Sequence, residues 1–234
     1  MIPGNPKYME LSPRQKIVLK TLIKEYVRSA QPVASGILVE KYSLDISPAT
    51  VRNELTVLED LGYIHQPHTS AGRVPTEEAY LLDLGDNEAK RLRSTDKEAL
   101  EAVLSAAESF KPAARTLAEL SGNAVFWAFH KNDLYHTGLS NLFSQSEFKQ
   151  SEMLFDVSQV IDRMEEIIDG LFDELPEGTQ VYIGSNNPFG AFLGTTLLKY
   201  RHGGVSGLCG ILGPMRMDYP RNLSLLTHLE EYFK

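Results

Sequence analysis

The sequence predicts an α+β fold in two unequal parts. Three observations lead there. The first 80 residues read as three helices, the first and third with clear caps, followed by a short polar hairpin. From about residue 99 onward, amphipathic helices alternate with strands. Between them lies a stretch whose core, GDNEAKRLRSTDKE, is polar and mixed in charge and reads as a linker or a solvated helix. The expected division is residues 1–80, a linker over 81–98, and residues 99–234.

Each element has a local cause. In SPRQKIVLKTLIKEYVRSA, Ser12 caps, Pro13 suits the first helical position and Gln15 completes a capping box. Ile17, Val18, Leu22, Ile23, Tyr26 and Val27 recur near helical spacing and are expected in a core. QPVASGILVEKYSL reads as a shorter helix from Val33 to about Tyr42, and SLDI as a tight connection. SPATVRNELTVLEDLG reads as a third helix, with Ser47 as cap, Pro48 as first residue and Gly62 as stop. At about 100° per residue, Val51, Leu55, Leu58 and Leu61 share one face. Ala49, Arg52, Asn53 and Thr56 point the other way, with Thr50 at the flank.

YIHQ then reads as a strand and RVP as its return, with PHTSAG as the tip. Thr76 is expected to cap a further helix, EEAYLLDL. In the second part, ALEAVLSAAESFKPAARTLAELSG reads as helix interrupted at Pro112, NAVFWAFH as a strand, and DLYHTGLSNLF as a second strand with its exit. VSQVIDRMEEIIDGLFDEL reads as one amphipathic helix and TQVYIGS as a strand. GTTLLKYRHGGVSGLCGILG reads as a hairpin turning at HGG, and DYPRNLSLLTHLEEYF as the last helix. The sheet is expected to be largely antiparallel.

Bulk properties bound the function. With 234 residues, 42% hydrophobic and 23% charged, the composition is that of a globular protein of one large or two small domains. MIPGNPKYME lacks the basic start and apolar core of a signal peptide, and no run approaches the ~20 apolar residues of a spanning helix. The single cysteine, Cys209, allows no internal disulfide and no thiolate metal cluster, so a cytoplasmic location is expected. A net charge of −8 argues against a generic polyanion binder. Residues 1–80, however, hold nine Lys/Arg and nine Asp/Glu, so the first part is electrically balanced.

Two helices joined by a tight turn, the second with a small polar outer face, describe a helix-turn-helix; a hairpin directly after it makes a winged helix. Such a helix presents its N-terminal residues to base edges in the major groove. Ser47, Ala49, Thr50, Arg52, Asn53 and Thr56 are therefore the expected DNA-facing residues of the helix. His65, His68, Thr69, Ser70, Gly72 and Arg73 are those of the wing, with Gly72 permitting the turn and Arg73 among the phosphate donors. Arg52 should carry base preference, and Arg73 a uniform share of affinity. One such helix supplies one or two base contacts of roughly 1–3 kcal/mol each, so a dimer on two half-sites is expected. His65 and His68 have no cysteine or carboxylate neighbour that would make them metal ligands.

The stretch from LSPRQKIVLK to VPTEEAY closely resembles the N-terminal region of the HrcA family of bacterial heat-inducible transcription repressors. SPATVRNEL, LEDLGYI and QPHTSAGRVPT carry the resemblance most specifically, and it returns at GLSNLFSQSEF, VYIGSNNPFGAF and GILGPMRMDYPRNLSLL. It covers most of the chain apart from residues 81–98. It implies a winged-helix domain followed by a GAF-like domain. It also implies a homodimer on an inverted-repeat operator upstream of chaperone genes, and a repressor kept active by the chaperonin GroEL. Family members have a long stretch, including an inserted dimerisation region, before GLSNL. Here NAVFWAFH runs through KNDLYHT almost straight into GLSNLF, so this chain resembles a shortened member with a reduced GAF-like domain.

Other chemistry is weaker. There is no G-x-S-x-G elbow, P-loop or HExxH, so neither an enzyme nor a cofactor is expected. Cys209, in an apolar strand, reads as a buried small residue. Arg216, Asp218 and Tyr219 form a further cluster, possible regulatory or structural residues: Asp218 as a cap, Arg216 as its ion-pair partner or a ligand contact. Two alternatives stay open at this point, an effector-binding regulator and a winged-helix interaction module without specific DNA binding. A domain without the insert is also expected to be marginal and to open on heating.

Overall fold

The computed structural model describes residues 11–86, 92–106, 110–129, 133–149 and 151–234. It separates into two compact units, Met1–Glu88 and Ala89–Lys234.

In the first unit, α1 spans Pro13–Ser29, α2 Ser35–Tyr42 and α3 Pro48–Asp60. The capping box at the start of α1 is reciprocal: the Gln15 N–H donates to Ser12 Oγ at 3.3 Å, and the Ser12 N–H donates to Gln15 Oε1 at 2.8 Å. Val18, Leu22 and Ile23 are buried, together with Leu19, but Ile17 is 54% exposed. Val18, Leu19, Leu22 and Ile23 share the buried face, and at about 100° per residue Ile17 falls on the opposite side of the helix. Helix α2 starts two residues later than expected, because Val33 is used as a strand residue and bridges Arg73. Strands β1, Ile64–His65, and β2, Val74–Pro75, pair antiparallel, with Ile64 opposite Pro75.

Glu25 of α1 is buried, and its carboxylate accepts from Arg28 at 2.8 Å, Lys41 at 2.8 Å and the Tyr42 hydroxyl at 2.8 Å. Three donors offset the cost of removing the carboxylate from water and tie α1 to α2. Burial, and next the hydrogen bond to Glu25, push the Tyr42 phenol above its ordinary value.

Helix α4, Glu77–Asp86, closes the first unit. Thr76 precedes it, but its hydroxyl donates to the carbonyls of Gly62 at 2.8 Å and Tyr63 at 3.0 Å, tying back to the hairpin. Helix α5 spans Ser94–Ala106 and α6 Lys111–Ser121. The stretch expected as linker, 81–98, is thus helical from 81 to 86 and from 94 to 98; residues 87–91 lie outside the described ones. Pro112 sits in the first turn of α6, so the interruption falls just ahead of it, where its missing N–H costs nothing.

The second unit is built on a five-stranded sheet in the order β4-β3-β7-β6-β5. Its strands are β3 Ala124–Ala128, β4 Leu134–Thr137, β5 Gly178–Ile183, β6 Leu193–His202 and β7 Val205–Pro214. Every pairing is antiparallel. The β6–β7 hairpin turns at Gly203 and Gly204, with φ of 57° and 80°. Two successive positive φ values are what a tight two-residue hairpin of the right twist requires.

One sheet face, with Phe126, Leu197, Leu208 and Leu212, packs against α7 (Leu139–Ser144), α8 (Ser151–Asp162) and α9 (Met164–Glu174) through Leu142, Val157, Met164 and Ile168. The sequence read α8 and α9 as a single helix; the structure breaks it at Arg163, at φ −101° and ψ 8°. Helix α10, Tyr219–Phe233, packs on β6 and β5, and α6 on β3. Here the Trp127 indole N–H donates to the Tyr200 hydroxyl at 2.7 Å, and Phe233 stacks on Tyr200 at 4.1 Å. Burial pushes the Tyr200 phenol well above its ordinary value, against the opposing effect of the Trp127 bond.

Residues 151–177 hold nine Asp/Glu and one Arg, a balance equal to the whole chain's net −8. All nine except the half-buried Asp169 are exposed. Among the described residues no helix is long and apolar enough to cross a membrane.

Candidate nucleic-acid interface

Helix α3 presents two unlike faces. Val51, Leu55 and Leu58 are buried, while Ala49, Arg52, Asn53 and Thr56 are exposed and Thr50 is half-buried at the flank. The helix begins at Ser47, whose hydroxyl accepts from the Thr50 N–H at 3.1 Å and lies 2.9 Å from the Thr50 hydroxyl. These two side chains are committed to the cap. The Thr56 hydroxyl donates to the Arg52 carbonyl at 3.1 Å. Arg52 and Asn53 are the long polar side chains that this face holds out.

The helix ends in a Schellman motif. The Gly62 N–H donates to the Glu59 carbonyl and the Tyr63 N–H to the Leu58 carbonyl, both at 2.9 Å, with Gly62 at φ 83°. That fixed exit sends the chain directly into β1. His65, His68, Thr69 and Ser70 are exposed on the wing. Its tip is braced from inside: the Gln66 amide donates to the carbonyls of Thr69 at 3.0 Å and Ala71 at 2.8 Å. The Ala71 N–H closes a turn onto the His68 carbonyl at 2.8 Å. Sequence reasoning missed Gln66, because one polar residue in a polar tongue gives no signal of which way it points.

The root of the wing differs from expectation at two residues. Gly72 does not sit at a left-handed turn. It lies so close to Val33 that a Cβ there would be 2.4 Å from the Val33 carbonyl carbon and 2.6 Å from its nitrogen. Glycine is required by close backbone approach, not by turn conformation. Arg73 exchanges both main-chain hydrogen bonds with Val33, each at 2.9 Å, and its guanidinium pairs with Glu59 at 2.8 Å. Between α3, the start of α2 and the wing lies a cleft of about 450 Å³ lined by Ser35, Arg52, Gln66, Thr69, Ser70 and others.

Local charge does not oppose an anion on this surface. Residues 61–76 contain no Asp or Glu. Two carboxylates of α3, Glu54 and Glu59, face arginines, Arg14 at 3.6 Å and Arg73 at 2.8 Å. Residues 1–80 therefore carry no net charge to repel a polyanion, although Asp83, Asp86 and Glu88 bring the whole first unit to −3.

The second cluster is brought together for a different purpose. Asp218 caps α10, accepting from the Arg221 N–H at 3.1 Å. Arg216 reaches Glu147 and the Gln145 side chain, the latter at 2.7 Å, and so ties the loop after β7 to the 3₁₀ turn Ser146–Lys149. The Tyr219 hydroxyl donates to the Met215 carbonyl at 2.6 Å. Arg221, which sequence reasoning did not single out, joins Asp96 of α5 at 3.0 Å and the Leu120 carbonyl of α6 at 3.1 Å. Cys209 is fully buried, and burial pushes its thiol up, opposite to what a nucleophile needs. Among the described residues no group of three or more His, Cys, Asp or Glu is placed to hold a metal ion.

Comparisons with known proteins agree with this geometry. Residues 10–87 match the family described as "Winged helix-turn-helix transcription repressor, HrcA DNA-binding", and residues 84–223 match "HrcA protein C terminal domain". The chain is 58% identical over 71 residues to the heat-inducible transcription repressor HrcA of Roseiflexus sp. (strain RS-1), covering 30% of this chain and 20% of that protein. It is 45% identical over 98 residues to the repressor of the same name from Thermobifida fusca, covering 42% and 29%. The matched stretch thus spans about a fifth to a third of these curated relatives. The fold is shared with a crystal structure of a hypothetical protein, at a TM-score of 0.74 and 21% identity, over 96% of this chain and 99% of that one. The two family matches meet where the contacts divide the chain, and together they take in both the winged helix and most of the sheet unit: the chain belongs to the HrcA family.

Proposed function

We propose that this chain is a sequence-specific DNA-binding repressor of heat-shock (chaperone) genes. It acts in the cytoplasm, binds an inverted-repeat operator as a homodimer and leaves it on heat stress. The observation that carries this reading is the exposed face of Ala49, Arg52, Asn53 and Thr56 beside a braced polar wing. Arg52 and Asn53 are the base-reading side chains, each good bidentate pair discriminating by roughly 1–3 kcal/mol. Thr56, His65, His68, Thr69 and Ser70 supply backbone contacts, and Ser47, Thr50, Gly72 and Arg73 hold the elements that present them. The functional boundary is the stretch 81–98. The second unit carries dimerisation and the response to stress, with the chaperonin GroEL as a modulating partner.

An effector-binding role is less well supported. The cleft formed in the second unit by Asp156, Val160, Arg163, Phe189, Phe192 and their neighbours measures about 220 Å³. Ligand pockets generally run from about 300 to 1,000 Å³.

The test is binding to a perfect inverted repeat of the family's operator type against a scrambled duplex at fixed salt, with the mass of the complex determined. A large preference with two chains per duplex is expected. Equal binding to both duplexes refutes the reading and favours an interaction module.

A further inference from the structure

We propose that Arg73 and Glu59 form a latch that sets the wing against the recognition helix, so that Arg73 is a positioning residue and not a phosphate contact. This rests on the reading of the first unit as a DNA-binding module. Four features of the wing root support it.

First, the pair is drawn in. The side chains of Arg73 and Glu59 are only 21% and 30% exposed, and Arg73 Nε is buried without a hydrogen-bond partner, out of reach of a phosphate. Second, Arg73 is immobilised through its backbone, which spends both polar groups on Val33. Third, Gly72 lies directly against Val33, so the strand cannot slide past its neighbour. Fourth, Glu59 is fixed independently, its carbonyl accepting from Gly62 in the turn that ends α3. The ion pair therefore joins two rigid points, the last turn of the recognition helix and the return strand, and closes the loop between them into a ring. With the helix exit and the wing root both held, the wing keeps one angle to α3.

The two roles for Arg73 predict opposite signs. As a phosphate donor, its loss flattens the log–log salt dependence of binding by about 0.9. Loss of Glu59, then only a repelling carboxylate, tightens binding. As a latch, either loss weakens binding, and neither changes the slope.

The experiment compares the full chain with Arg73→Met, Glu59→Gln and the double variant on the inverted-repeat duplex across a salt series. Amide exchange over residues 63–76 is measured on the same proteins without DNA. Arg73→Met keeps an apolar stem, so the unit retains its packing. The latch predicts that both single variants weaken binding about tenfold, with the double variant no worse than either. The salt slope stays unchanged, and wing exchange is faster in all three. A flatter slope in Arg73→Met, tighter binding by Glu59→Gln, or unchanged wing exchange overturns it. If the wild type does not distinguish the repeat, the repressor reading fails, and the exchange result still decides the latch.

Discussion

Replacing Gly72 with alanine is a one-atom test of how the wing is attached. The added Cβ would meet the Val33 carbonyl carbon at 2.4 Å, its oxygen at 2.5 Å and its nitrogen at 2.6 Å. All three are backbone atoms, so no side chain can rotate away. Relief requires the return strand to part from Val33, which lengthens or breaks the two 2.9 Å hydrogen bonds between Val33 and Arg73. Each such bond contributes about 0.5–1.5 kcal/mol net, and overpacking adds about 1–3 kcal/mol. The expected loss is therefore on the order of 2–6 kcal/mol. For a unit of this size, about 1 kcal/mol moves the melting temperature by roughly 4–8 °C, so the first unit should melt at least ~10 °C lower. The assay is thermal unfolding followed by far-UV circular dichroism, with the second unit reported separately by Trp127 fluorescence. Gly36→Ala is the control: it lies in α2 with nothing within 4 Å of an added Cβ, and should stabilise by about 0.5–1 kcal/mol. If Gly72→Ala melts within about 2 °C of wild type, the close approach to Val33 does not hold the wing and the argument fails.

Three further outcomes are expected. Arg52→Ala should reduce discrimination at one base position by roughly 1–3 kcal/mol while leaving the melting temperature unchanged, measured by competition with single-substitution duplexes. Tyr200→Phe removes the acceptor of the buried Trp127 N–H, and should cost about 1–3 kcal/mol in denaturant unfolding, with a shift in tryptophan emission. Cys209 should resist thiol reagents until the second unit unfolds. Because its folded pKa is raised, the native thiol keeps its proton above pH about 8.5 while the unfolded one loses it. Stability of the second unit should therefore be full below that pH and fall as pH rises further, and Cys209→Ala should flatten the fall.

Where signals are local, the sequence was legible. The Ser12–Gln15 box, the Ser47–Pro48 start and the Gly62 stop each involve residues within one helical turn, and each is found where its motif stands. The β6–β7 hairpin followed from two adjacent glycines. What could not be read depends on distant neighbours. Gly72 looks like a turn glycine until Val33, 39 positions earlier, is placed against it. Arg73 looks like a free cation until Glu59 is opposite it. Arg216 sits two residues from Asp218, yet it reaches Glu147, 69 positions away. The break at Arg163 carries no proline or glycine, and both halves stay amphipathic and pack in the same sheet core, so no local signal marks where they part. The outer face of α3 was legible because helical periodicity alone separates Arg52 and Asn53 from Leu55 and Leu58.

The nine carboxylates between residues 151 and 177 make ionic strength act with two signs on one molecule. Like charges crowded on adjacent helices repel, and salt screens them: the Debye length falls from about 10 Å at 0.1 M to about 3 Å at 1 M. Added salt therefore consolidates the sheet unit. It simultaneously loosens any DNA complex of the winged unit, by about 0.9 in log–log slope for each neutralised phosphate. The salt concentration that best preserves the protein is not the one that best preserves its complex, and a purification buffer chosen for solubility would strip the DNA away.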